Sequence, residues 1–534
     1  MGGVVSPVCP DCPRAKETNR YRPATLKRVG RATMELMATW GWRRVVAGVK
    51  DFARPRPTLL LALPLLFYLA MPTRNFYWDG VSLAIDIEKR LPAAQLLHPS
   101  HLVYGLAGAW IYGLSEFVGL HTRALFLLQA VNGFLAGLCV PLLYKCLRLR
   151  KMPADVSIPA ALVFGFSATW WRFATDANAY VPSIFCLLCA YVLIERRRSV
   201  VLAGLAQSSA LMFHELGLLF LPVALMHLRW SPRRMLGYAA TALIPVALAY
   251  LEAHAVVAKY HAAPGLTFPG LIPWASSHSP DSGFYFNPLT YAVLSIRGTV
   301  RLFFGGKVND FVGDGISKVT FGALVAAIVF FLMNLWRAVR SGGTILRAPP
   351  HLLVWAGIYS AFLFVWMPQN TFYRLFYLPA LIAIAAALLP KTPAVRAAAW
   401  LFIPVIFEWN FCFVAYPQSR PDFNVPLKFA LAQTNTWPPG TPILFYRFHP
   451  DLWTISYFNQ QAAWIGIDHA DIGELEHSLE YARSQRSPLW VEADAYNMIA
   501  ADPSGRRWLL AHERPRELLE FKDEKHDFRF HCVR

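Results

Sequence analysis

A few short, aromatic or apolar stretches of this sequence carry isolated acidic and imidazole side chains. FYWDGVSLAIDIEKRLPAAQLLHPSHLVYG holds Asp79, Asp86 and Glu88, then His98 and His101. FSATWWRFATDANAYVPS holds Asp176, and HELGL holds His214 and Glu215. Carboxylates and imidazoles in such settings take up or deliver protons. Guanidiniums hold anions in a planar fork. Arg297 and Arg301 stand four apart and so share a helical face, and Arg374 stands in NTFYR.

Other chemistries lack their signals. There is no phosphate-binding P-loop and no dinucleotide fingerprint after a strand. HELGL begins like a zinc-protease motif but lacks the second histidine. The CPDC of Cys9 and Cys12 has no second pair, so it is a weak metal signal. Cys139, Cys146, Cys186 and Cys189 lie in apolar runs, where a thiol packs as a small hydrophobe. His98 and His101, with Ser100 available as a cap, read as a helix start rather than a metal site. Asp79 and Asp176 could equally cap helices beginning at Val81 and Val181.

The elements that position these groups follow from composition. Apolar residues make up 55% of the 534, charged residues only 16%, and mean hydropathy is +0.35. A soluble domain carries nearer a quarter charged residues, so most of this chain faces lipid. The net charge of +18 is split into short Lys/Arg clusters between apolar runs, which argues for cytoplasmic loops and against nucleic acid. The first apolar run, Thr58 to Met71, follows a long basic tail and has no small-residue cleavage site, so it reads as an uncleaved anchor. The tail, residues 1–56, alternates basic and apolar residues as an amphipathic helix on the inner leaflet would.

Clusters at Arg148–Lys151, Arg196–Arg198, Arg229–Arg234, Arg337–Arg347 and Lys391–Arg396 all belong on the cytoplasmic side. The expected spans include 157–174, 181–194, 235–258, 319–336, 351–367, 375–389 and 397–416. Residues 200–228 form a hairpin with His214–Glu215 at its tip, and 101–120 lies along the outer surface without crossing. The expectation is a polytopic α-helical membrane protein of about eleven spans over 57–417. It has a large first external loop, 72–123, and a second surface loop, 259–318. The N-terminus is inside and the C-terminus outside, and Asp79, Asp176 and His214 share one depth.

Residues 418–534 alternate differently. PILFY, AAWIGI and PLWVEA read as short buried strands and ADIGELEHSLEYARSQ as an amphipathic helix. A small extracytoplasmic α/β domain follows, after a Pro-rich linker at 418–442.

These motifs together resemble the GT-C superfamily of membrane glycosyltransferases, of the protein O-mannosyltransferase and aminoarabinose-transferase type. The resemblance rests on a first span followed by Asp79, a HisPro entry to a surface helix, and WWRFATDANAY; PPGTPILFYRFHPDLWTISYFNQQ is similar to the outer domain of some relatives. Asn178 departs from the pattern, standing where relatives often carry Glu. The resemblance implies inverting transfer of a sugar from a polyprenyl-phosphate donor to a hydroxyl of a protein, lipid or glycan. It places the reaction on the outer face of a bacterial-type inner membrane. Asp79 would be the base and Asp176 a second catalytic carboxylate, with Arg297, Arg301 and Arg374 on the donor phosphate. Asp86, Glu88, His98, His101, His214 and Glu215 would line the cavity. No cofactor is called for, no metal ligands are assigned, and a divalent metal is left open. A transporter or lipid flippase would want ionisable groups in mid-span, whereas here they gather at span ends. A non-catalytic subunit of a polysaccharide assembly complex is the third reading.

Overall fold

The computed structural model describes residues 57–197, 199–228, 231–261, 287–306, 349–388, 392–432, 437–522 and 527–534, with isolated helical residues between 319 and 340. The basic tail and its expected amphipathic helix, the CPDC motif, and much of the 259–318 loop lie outside the described residues. So do most of the Arg337–Arg347 cluster, Arg198, Arg229, Lys391 and much of the 319–336 span.

The apolar runs are helices, the conformation that satisfies every backbone group within one segment. The first, α1 (Pro57–Ala70), packs closely on its neighbours through small residues. A Cβ on Gly137 would meet the Leu65 side chain at 2.6 Å, and one on Gly165 the Pro64 ring at 2.9 Å. Within 72–123 lie α2 (Trp78–Glu88) and α3 (Tyr104–Phe117). The latter leaves Trp110 and Phe117 exposed.

Next come α4 (Ala124–Leu149), α5 (Ala154–Phe166) and α6 (Ala168–Ala174). The sequence reads 157–174 as one span, but the chain breaks at Ser167, whose backbone is extended and whose hydroxyl donates to Val163 O at 2.6 Å. A serine bonding its own backbone competes with the helix in this way. After α7 (Tyr180–Glu195) and α8 (Val200–Phe213), His214 turns extended and the chain doubles back. Gln207 Nε2 there donates to Gly217 O at 3.1 Å, and the return runs through a 3₁₀ turn into α9 (Leu221–His227).

The helical part closes with α10 (Pro232–His261), α11 (Pro288–Phe303), α12 (Pro350–Trp366), α13 (Leu378–Leu388) and α14 (Pro393–Asn410). Among the described residues, three helical stretches are long and apolar enough to cross a membrane: Ala124–Leu149, Pro232–Val257 and Val395–Ser419. The remaining apolar helices have 10–17 residues, short of the roughly 20 that a straight crossing takes.

The expected linker is not loose. Within it α15 (Val425–Ala432) buries Leu427, Phe429 and Ala430, and Phe429 stacks on Phe528 at 5.1 Å. The domain continues as β1 (Pro442–Tyr446), α16 (Pro450–Phe458), β2 (Ala463–Ile467), α17 (Ile472–Ser484), β3 (Leu489–Glu492), α18 (Ala493–Ala501) and α19 (Pro503–His512). It ends with β4 (Glu513–Lys522) and β5 (Asp527–Val533), giving one sheet in the order β2-β1-β3-β5-β4. The central strand β1 runs parallel to β2 and β3, with Ile443 facing Trp464 and Trp490, while β5 is antiparallel to β3 and β4. The highly charged β4 is not legible as a strand. As an edge strand it tolerates those charges.

Candidate active site

The start of α2 and the loop from α6 to α7 are built against each other. Only a glycine fits at position 80, because a Cβ there would meet Ala177 O at 2.2 Å. Asp176 locks the joint, its Oδ2 accepting from Tyr77 N and its Oδ1 from Ala177 N, each at 2.8 Å. Asn132 Nδ2 donates to the carbonyls of Asp176 and Asn178 at 2.8 Å each. Asn178 Oδ1 accepts from Tyr180 N and Val181 N at 3.1 Å, so Asn178 and not Asp176 caps α7. Asp176 is 1% exposed. Burial pushes its carboxyl up to about 7, against the two backbone N–H groups that favour the charge.

Asp79 lies in the first turn of α2, which begins at Trp78 rather than Val81, so it does not cap that helix. It is half-buried. Burial pushes its carboxyl up to about 7 as well, opposed by hydrogen bonding with the Tyr77 side chain. The Tyr77 and Tyr180 hydroxyls are 3.3 Å apart. Their rings meet Phe372 at centroid distances of 5.5 and 5.3 Å, and Tyr180 meets Tyr373 at 5.8 Å.

The histidines expected at two separate places converge here. His214 packs on Tyr180 at 4.9 Å and on His101 at 4.8 Å, and His98 stacks on His101 at 5.1 Å. Ser100 does not cap α3, which starts from Val103 without a side-chain cap; instead it hydrogen-bonds with Glu215. Burial, with His98 adding to it, pushes His101 down to about 3, and burial pushes His214 well below the usual imidazole range, so both rings are neutral. Nδ1 of His101 and Nε2 of His214 are buried with no hydrogen-bond partner, open to an incoming donor or a metal. Burial raises Glu215. Tyr77, Asp79, His101, Glu215, Phe372 and Tyr373 all keep part of their surface, so this cluster is reachable from outside.

Asp86 follows two turns after Asp79 on the same face of α2, half-buried, with burial raising its carboxyl to about 6 against Lys89. Glu88 is engaged elsewhere. Its carboxylate pairs with Arg123 at 2.9 Å and accepts from Ala124 N at 2.8 Å, Tyr457 Oη at 2.6 Å and Gln460 Nε2 at 3.1 Å, joining α2 to the sheet domain.

The arginines divide. Arg374 is 2% exposed, donating from Nη2 to Pro368 O and from Nη1 to Tyr377 Oη, each at 2.6 Å. It has no ion pair among the described residues, and its Nε is buried without a partner. Gly298 of α11 packs on this guanidinium, since a Cβ there would meet Nε at 2.6 Å. Arg297 and Arg301 are exposed on the same helix. Thr169 Oγ1 donates to Arg301 O at 3.0 Å, tying α11 to α6. Sequence reasoning missed Arg172 on α6, whose Nε is buried without a partner and whose charge favours ionised Asp176. A lone arginine inside the apolar WWRFA run was the available signal. Among the described residues, two groups have ligand atoms within 4.8 Å of one another, Glu195 with His227 and His351, and His449 with Glu492 and Asp494. Neither includes Asp79.

No protein-family profile matches the chain, and no curated protein matches it in sequence. Among solved structures it is similar to an oligosaccharyltransferase from Archaeoglobus fulgidus, at 12% identity and TM-score 0.43, over 88% of this chain and 73% of that one. It is also similar to ArnT from Cupriavidus metallidurans bound to undecaprenyl phosphate, at 14% identity and TM-score 0.43, over 89% and 97% of the two chains. Both are GT-C glycosyltransferases, the superfamily the sequence resembles.

Proposed function

We propose that the chain transfers a sugar from a polyprenyl-phosphate donor to an acceptor hydroxyl of a protein, lipid or glycan, with inversion, on the outer face of a bacterial-type inner membrane. The topology proposed with it has the N-terminus inside, about eleven crossings, 101–120 along the outer surface and the sheet domain outside. The observation that carries the reading is Asp79. Its carboxyl is half-buried and pushed up to about 7, and Tyr77 is its one side-chain hydrogen-bonding partner among the described residues. A base of that basicity matches proton abstraction near neutral pH.

In the reaction Asp79 takes the proton of the acceptor hydroxyl as that oxygen attacks the anomeric carbon. The bond to the carrier phosphate breaks on the opposite side, and the phosphate leaves with the electron pair. Arg374 is a buried cation with no carboxylate partner among the described residues, and such a charge is strongly stabilised by an anion brought near it. Arg297 and Arg301, exposed on α11, can receive the lipid phosphate at the surface, and Arg172 adds positive potential near Asp176. Asp176, with both oxygens held by backbone N–H groups, is a positioning residue that fixes the start of α2.

The test is transfer by purified protein in nanodiscs, offered labelled polyprenyl-phosphate sugars and acceptors. Wild type is expected to release free polyprenyl phosphate in step with sugar transfer, and Asp79→Asn to do neither. Equal turnover by well-folded Asp79→Asn removes Asp79 from the mechanism.

A further inference from the structure

A second polar centre lies at the other end of α7 from the Asp79 cluster. Tyr180 begins that helix and Glu195 ends it, which at about 1.5 Å per residue puts them roughly 22 Å apart. Glu195 meets there His227, the last residue of α9, and His351, near the start of α12. Glu195 Oε1 is 3.5 Å from His227 Nε2 and 3.9 Å from His351 Nε2. One ligand atom from each of the three residues falls within 4.8 Å of the other two. The two imidazoles also approach Nδ1 to Nδ1 at 3.2 Å, with ring centroids 4.1 Å apart.

We propose that Glu195, His227 and His351 form a binding site for a divalent transition metal of the zinc class, independent of the Asp79 cluster. Two imidazoles and one carboxylate are a donor set such an ion accepts. Around a tetrahedral zinc with bonds of about 2.1 Å, neighbouring ligand atoms stand about 3.4 Å apart. With Nε2 of both histidines as ligand atoms, the edges from Glu195 Oε1 are 3.5 and 3.9 Å, so the first is already near that length and the second closes by about 0.5 Å. The Tyr191 hydroxyl, 3.0 Å from both Glu195 Oε1 and His351 Nε2, releases the imidazole when the ion takes that nitrogen and stands where it can orient the carboxylate or a fourth, water ligand.

Arg150 is the competitor. Its Nη1 donates to Glu195 Oε1 at 2.5 Å and lies 3.5 Å from His351 Nε2. Metal and guanidinium cannot share that oxygen, so Arg150 moves to the second carboxylate oxygen or to solvent when the ion binds. The side chains of the three ligands are 9–16% exposed, which leaves an entry route. The residues come from three helices that are not consecutive in the chain, so the ion would clamp their ends together.

The experiment is a titration of metal-free full-length protein in detergent with zinc, followed by calorimetry and thermal unfolding, with cobalt substitution as an optical reporter of coordination. One zinc per chain is expected, with a raised Tm and a tetrahedral nitrogen/oxygen cobalt spectrum. Binding is lost in His227→Ala and His351→Ala, kept in His101→Ala and His214→Ala, and tightened in Arg150→Gln. If a histidine variant fails to fold, the wild-type cobalt spectrum and the Arg150→Gln affinity still decide. A wild-type protein that binds no zinc, or zinc binding that follows His101 and His214 instead, overturns the proposal.

Discussion

Asp79 and Asp176 stand on the two elements that meet at one joint, and burial pushes both carboxyls up to about 7. Yet they are wired oppositely. Asp176 is 1% exposed and spends both oxygens on backbone N–H groups, whereas Asp79 keeps accessible surface and meets a phenol. A shifted carboxyl therefore does not by itself mark a base. What distinguishes the two is whether the lone pairs are already committed.

The largest expected effect breaks the pair apart by rate. Asp79→Asn should lower turnover by about 10²–10⁴-fold while leaving the protein folded, as loss of a general base does. Single-turnover transfer in nanodiscs, with a melting curve alongside, checks it. Asp176→Ala should act on stability instead, by about 2–5 kcal/mol, because two buried N–H groups lose their acceptor; denaturant or thermal unfolding in mild detergent measures this, and a loss below about 0.5 kcal/mol would reverse the assignment of roles.

A third test uses pH. Each carboxyl titrates near 3.8 when unfolded and near 7 when folded. The folded state binds the extra proton between those values, so the contribution to stability is full below 3.8 and is lost as pH rises through 7. The slope for one proton is at most about 1.4 kcal/mol per pH unit. Asp79→Asn should therefore gain on wild type between pH 5 and 7 and level off above, read as a difference in Tm. Parallel pH curves would mean Asp79 is not raised. The smallest effect belongs to Glu88→Gln, which should cost about 1 kcal/mol by weakening a partly exposed ion pair. It should also speed amide exchange in α16 without abolishing transfer.

Much of this architecture is legible in the chain. The strands 442–446, 463–467 and 489–492 announce themselves as short buried runs, and the turn at His214 by a polar pair in an over-long apolar run. Long-range chemistry is less so. His101 and His214 converge only because the end of α8 meets the turn before α3, Val103 N donating to Met212 O at 3.1 Å, which periodicity does not encode. The cap of α7 falls to Asn178 and not to Asp176, since both aspartate oxygens are drawn across to Tyr77 and Ala177. The burial of Arg374 depends on Gly298, distant in sequence, leaving room for a guanidinium.

The helix α2 carries Asp79 near its first residue and Glu88 at its last, about 14 Å apart along a stiff rod. One end is pinned by Asp176 and Gly80, the other by Arg123 and Tyr457 of the sheet domain. In mechanical terms the rod is a lever with a latch at the far end. A load on α16 would reach the start of α2 through this rod, with no loop between to absorb it.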